Sequence, residues 1–186
     1  GNAAVAVGMD ISNCGPVTVD SLRFSAWSGV AALRQQSSSG AFSNLEFVSN
    51  LQHGFCLTNA HFNLVSGCYA ATNRYDGIGI FYGRSNTVQF CTVISNSNGI
   101  ESRYGWSNRL FSNTAMECHP IGIKVDSSDS NEVSSNYAAR SGWNATYWIG
   151  GGIYINSGFL TRVYRNLVES NHVGIQLGGS PRGATV

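Results

Sequence analysis

Apolar residues recur along this chain in short alternating runs, each opened by a small residue or turn, a glycine and an apolar side chain. The triplets are Ser28-Gly29-Val30, His53-Gly54-Phe55, Ile78-Gly79-Ile80, Asn98-Gly99-Ile100, Ile121-Gly122-Ile123, Gly151-Gly152-Ile153 and Val173-Gly174-Ile175. Their glycines are separated by 25, 25, 20, 23, 30 and 22 residues. Alternation with period two buries one face of a β-strand. A repeat in the low twenties has the length of one solenoid coil.

The rest of each repeat agrees. A Ser-Asn step lies midway, at Ser43-Asn44, Ser85-Asn86, Ser107-Asn108 and Ser130-Asn131. A second alternating strand follows, through Val88, Leu110, Val133 and Val163. Next comes a column of Leu22, Leu45, Cys68, Cys91, Asn113, Asn136 and Asn166. Two residues later the column is apolar throughout: Phe24, Phe47, Ala70, Val93, Ala115, Ala138 and Val168. Asn50, Asn73, Asn96 and Asn171 close several repeats. Coils stacked ~4.8 Å apart turn each column into a ladder of like side chains. An inward Asn in such a ladder satisfies buried turn backbone and tolerates left-handed geometry.

This pattern predicts an all-β protein: a parallel β-helix of seven or eight coils forming one domain over residues 1–186. It changes the meaning of the composition. Gly, Ser and Asn make up 65 of 186 residues, and the repeat assigns them to turns and ladders instead of disorder. Charged residues are 11% of the chain, against about 25% in a typical domain. The net charge of +1 offers no basic footprint for nucleic acid. Apolar runs such as Ala3–Val7 are far shorter than a membrane span. Five cysteines without a Cys-x-x-Cys pair exclude a zinc ribbon and a thioredoxin motif. Cys68 and Cys91 share a column in adjacent coils, as a reduced inward pair or as an inter-coil disulfide.

The repeat "Gly-Ile-x-apolar, then Ser-Asn-x-Val, then Asn" resembles the right-handed parallel β-helix of the pectate-lyase-like superfamily. The resemblance covers about residues 28–177 and, more weakly, 1–27. That superfamily includes pectin and alginate lyases, polygalacturonases, uronan epimerases and phage tailspikes. It implies an extended polysaccharide as partner and an extracellular, secreted or virion-surface location. It supplies no catalytic residue. The paired aspartates with Gly-His-Gly and Arg-Ile-Lys of polygalacturonases are absent, as is the Asp-Pro-His-Glu of alginate epimerases. No cofactor is expected; Ca²⁺ has only Asp126 and Asp129 to call on, too few for a pectate-lyase acidic cluster.

Candidate chemistry comes from the strand after each anchor. If the anchor Ile points inward, the next residue points out. The outward pairs are then Phe81 and Gly83, Glu101 and Arg103, Lys124 and Asp126, Tyr154 and Asn156, and Gln176 and Gly178. Glu101 and Asp126, one coil and two residues apart, are ~8 Å apart by strand geometry. That suits an acid/base pair of an inverting glycosidase. Lys124, Arg103 and Arg84 are available to neutralise a uronate carboxylate, with Tyr104 or His119 exchanging a proton. In the plain alternative, Glu101–Lys124 and Arg103–Asp126 are only lateral ion pairs.

Aromatics flank the strip: Tyr82, Tyr104 and Trp106 after the strands, and Tyr75, Trp143, Tyr147, Trp148 and His172 before them. The 30-residue coil ending at Gly152 predicts a projecting loop that carries Trp143 and Trp148. The catalytic candidates are Glu101, Asp126, His119 and Lys124. The substrate-binding candidates are Phe81, Arg84, Arg103, Tyr104, Trp106, Trp143, Trp148, Tyr154 and Asn156. The reading is a polysaccharide-binding and polysaccharide-cleaving β-helix, hydrolase or lyase. The alternatives are a non-catalytic adhesion module, such as a tailspike segment, or a structural spacer. With no capping helix at either end, the solenoid is expected to continue as a longer one or to be covered by a partner subunit or a second copy.

Overall fold

A computed structural model describes residues 7–37, 39–142, 150–179 and 182–186. Trp143 and Trp148 therefore lie outside the described residues. The described chain is all-β, a parallel solenoid with strands in three sheets. The first sheet, A, stacks eight strands: Val7–Ser12, Ala31–Gln36, His53–Thr58, Ile78–Phe81, Asn98–Arg103, Ile121–Asp126, Gly151–Asn156 and Ile175–Gly178. Sheets B and C each stack seven shorter strands. Every pairing is parallel and joins one coil to the next.

The core runs down the stack. Leu33, Phe55, Ile78, Ile100, Ile123 and Ile153 form one fully buried column of sheet A. Phe47, Ala70, Val93, Ala115 and Ala138 form the buried column of sheet C, as the alternation predicts. Burial at about 25 cal/mol per Å² makes such columns the main stabilising term.

At the corners, Asn ladders replace apolar packing. Asn73 donates from its backbone amide and its Nδ2 to Asn96 Oδ1, both at 2.9 Å, and from the same Nδ2 to the Phe47 carbonyl at 3.0 Å. Asn86 and Asn113 repeat the arrangement with Asn108 and Asn136. These bonds satisfy corner amides that the core would otherwise strand.

The register corrects three sequence assignments. The anchor column holds Gly8, Ala32, Gly54, Gly77, Gly99, Gly122, Gly152 and Gly174; Gly29 and Gly79 lie outside it. At Gly99 a Cβ would approach the Gly122 carbonyl oxygen to 2.4 Å, which explains why the column favours glycine. The corner ladder before sheet B begins at Asn63, which donates to Asn86; Ser43-Asn44 lies at the far end of its strand. The closing Asn column continues through Cys118 and Ser141 to Asn171. Cys68 and Cys91 are free buried thiols.

Candidate functional site

With the anchor corrected, the outward positions on sheet A form two clean columns. One reads Asp10, Arg34, Cys56, Gly79, Glu101, Lys124, Tyr154 and Gln176. The other reads Ser12, Gln36, Thr58, Phe81, Arg103, Asp126, Asn156 and Gly178. Phe81 thus stands beside Arg103, two residues from where the sequence spacing puts it. The Phe81 ring folds back over Gly79, where an added Cβ would lie 2.6 Å from a ring carbon.

Before these columns, the residues preceding the glycines are His53, Asp76, Asn98 and Ile121. Sequence reasoning missed the His–Asp–Asn succession because it took Gly79 as the anchor. The triplets His53-Gly54-Phe55, Asp76-Gly77-Ile78 and Asn98-Gly99-Ile100 carried the signal.

The side chains join into one network across five coils. His53 Nδ1 lies 3.0 Å from Asp76 Oδ2. Asn98 Nδ2 donates to Asp76 Oδ1 at 2.9 Å and to Glu101 Oε2 at 3.4 Å. Lys124 Nζ lies 2.9 Å from Glu101 Oε1 and 3.5 Å from Asp126 Oδ2. Arg103 bridges the same carboxylates, its Nε 3.2 Å from Glu101 and its guanidinium donating to Asp126 Oδ2 at 3.0 and 3.1 Å. Asn156 Nδ2 donates to Asp126 Oδ1 at 2.8 Å. One ammonium thus reaches both carboxylates.

Burial separates the two acids. Glu101 is 4% exposed. Its desolvation, then the Asp76 charge, push its carboxyl above the usual range against the pull of Lys124 and Arg103. Burial works the same way on Asp126, but Asn156, Lys124 and Arg103 outweigh it and hold that carboxyl below the usual range. Burial, followed by the Asp126 charge, raises the Tyr154 phenol.

Two adjoining hollows open over this network. One, of about 450 Å³, is lined by His53, Tyr75, Asp76, Phe81, Glu101 and Arg103 among others. The other, of about 310 Å³, is lined by Pro120, Ile121, Asp126, Tyr154 and Asn156 among others. Asn98 and Lys124 line both, so the hollows adjoin along these residues as one groove. Glu101 lines one of the two hollows and Asp126 the other.

Four candidates lie elsewhere. Arg84, Tyr104 and Trp106 sit on the corner that follows the sheet-A strands, all exposed. Arg84 is therefore off the strand face assigned to it from sequence. His119 lines a separate hollow with Ser95, Glu117 and Arg140, because the turn before Ile121 directs its ring towards the sheet-C corner. Among the described residues no His, Cys, Asp and Glu groups converge as a metal site. Asp126 is engaged by two cations, and Asp129 accepts the Phe159 amide.

The sequence profile described as "Right handed beta helix region" matches residues 7–186. Among solved structures, the periplasmic alginate epimerase AlgG superposes in its D317A mutant with a TM-score of 0.80 at 12% identity, over 96% of this chain and 46% of that one. AlgG without that substitution gives 0.73 at 12% identity, over the same shares. Pectate lyase Pel9A gives 0.58 at 15% identity, over 89% of this chain and 60% of that one. The chain thus spans less than half the length of AlgG. A search of curated protein sequences gives no match. No helix among the described residues is long and apolar enough to cross a membrane.

Proposed function

The chain belongs to the right-handed beta helix family, and from that premise we propose that it binds an extended polysaccharide in the sheet-A groove and acts on it by acid–base chemistry. The observation that carries this reading is the pair of carboxylates driven in opposite directions within one groove. Environments that separate two titratable groups assign them opposite proton roles. Glu101, raised by burial, is the proton donor; Asp126 is the ionised partner. Lys124 and Arg103 hold the charge between them. His53 is a further proton-transfer group, since its imidazole lies 3.0 Å from the Asp76 carboxylate and lines the same hollow as Glu101. Tyr75 and Phe81 offer rings to the apolar faces of sugars.

The named neighbours, an alginate epimerase and a pectate lyase, support a glycan as ligand. The word periplasmic applied to AlgG supports a site of action outside the cytoplasm. A second reading, a binding module without turnover, is favoured by one observation: both carboxylates are already engaged by the same two cations.

The test is an assay of reducing ends and unsaturated products over a panel of polysaccharides, alongside direct binding. Wild type is expected to turn over one glycan class, with Glu101→Gln, Asp126→Asn and His53→Ala each reduced by at least ~100-fold. Reducing ends without unsaturated products mean hydrolysis; unsaturated products mean elimination. Equal activity in all four proteins would sink the assigned roles. Binding without turnover would select the second reading.

A further inference from the structure

The corner after the sheet-A strands carries a second cluster that the groove does not use. In successive coils it reads Tyr82-Gly83-Arg84 and Tyr104-Gly105-Trp106. Tyr82 and Tyr104 occupy a column whose backbone is left-handed in every described coil. Asn13, Ser37, Asn59, Ser127, Ser157 and Gly179 fill its other positions, all at positive φ. Asn and Gly enter that region readily, whereas a bulky ring does so at a cost. Two adjacent tyrosines, stacked with centroids 5.1 Å apart and both exposed, put aromatic surface where the fold favours a small residue.

Beside them the Arg84 guanidinium lies 5.5 Å from the Phe62 ring centroid and 5.9 Å from that of Trp106. These rings come from the coils on either side. A guanidinium flanked in this way keeps its N–H edge for a ligand, and that edge matches a planar or tetrahedral oxyanion bidentately. Arginine ion pairs among the described residues involve Arg23, Arg34, Arg103, Arg109, Arg140 and Arg162, and not Arg84. Continuity with the groove comes through Arg103, which pairs with Glu101 and Asp126 and lies 5.6 Å from the Tyr104 ring centroid.

We propose that this ridge is an outer subsite for an anionic sugar residue of the bound polysaccharide. Arg84 holds the sugar's carboxylate or sulfate, and the Tyr82, Tyr104 and Trp106 rings meet its C–H face. The inference rests on the groove reading and deepens it, by naming an acidic glycan long enough to leave the groove and cross the corner.

The test is calorimetric titration of the full chain with oligogalacturonates and heparan-type sulfated oligosaccharides, each short and long, and with uncharged cello-oligosaccharides of matched length. Wild type is expected to favour a long anionic oligomer over its short form by about tenfold. Arg84→Gln and Trp106→Ala should bring that ratio close to one, with far-UV circular dichroism confirming the fold. The galacturonate and sulfate arms tell which anion is taken. Variants that keep the wild-type ratio overturn the ridge while leaving the groove standing. An equal length preference for the uncharged oligomers overturns the role of Arg84. Wild type binding no probe overturns the groove reading and the ridge with it.

Discussion

Sheets A and B each stack opposite charges in lateral register, yet only one of these stacks makes a candidate site. On sheet B, Arg109 pairs with Glu132 at 3.1 Å, with side-chain exposures of 47% and 23%. On sheet A, Lys124 pairs with Glu101 at 2.9 Å, with exposures of 14% and 5%. The pairing rule is the same, since parallel register sets neighbouring coils side by side. What differs is desolvation and sharing. Glu132 remains within reach of water and is held below the usual carboxylate range: burial opposes its charge, but Ser134, Tyr164 and Arg109 outweigh it. Glu101 is sealed beneath its partners and held above that range. A solenoid makes charge ladders readily; a groove over a buried one is what suggests chemistry.

The largest break in this comparison is expected from removing one cation on each sheet. Lys124→Ala leaves two buried carboxylates with Arg103 as their one shared cation and should cost about 3 kcal/mol. Arg109→Ala should cost no more than about 1 kcal/mol. Urea unfolding of both variants checks this, and equal costs would make the sheet-A network an ordinary surface ladder.

A smaller effect is a difference in sign with pH. A carboxyl raised by folding contributes stability that is fully present below its unfolded pKa and is lost as pH rises through its folded value. A lowered one contributes stability present above its unfolded pKa and lost as pH falls through its folded value. The stability of wild type relative to Glu101→Gln should therefore fall as pH rises above the unfolded value near 4.5. Relative to Asp126→Asn it should instead fall as pH drops below about 3.8. Denaturant midpoints across the acid range read both slopes. Slopes of one sign would mean that the two acids share one environment.

The smallest change sharpens the groove itself. Gly79→Ala places a methyl group against the Phe81 ring, and overpacking of this kind costs ~1–3 kcal/mol where the ring cannot move. Phe81 is partly exposed and can swing into the hollow above Glu101. The expected outcome is a loss of about 1 kcal/mol with a clear drop in glycan affinity. Unchanged affinity would remove Phe81 from the binding surface.

The lateral neighbours Glu101–Lys124 and Arg103–Asp126 were legible from spacing alone, because their anchors at Gly99 and Gly122 were read correctly. The site's other half was not. Gly77 and Gly79 flank Ile78 and satisfy the same local pattern, so nothing within that coil says which one enters the ladder. Choosing Gly79 hides Asp76 from its neighbours His53 and Asn98. The position of His119 was equally illegible, since it depends on which side of a turn the ring leaves.

The alternating apolar columns, the corner Asn residues and the surplus of Ser and Gly are sufficient to specify a parallel β-helix. Each is a repeated local requirement: an inward position, an unsatisfied corner amide, a left-handed turn residue. Register, burial and the sharing of partners belong to the stacked molecule. They arise between residues some 22 to 30 positions apart and depend on which coil lies against which. The charges at 101, 103, 124 and 126 are visible in the chain; that they form one desolvated network beside His53 and Asp76 is decided by the stacking of coils, which alone removes them from water.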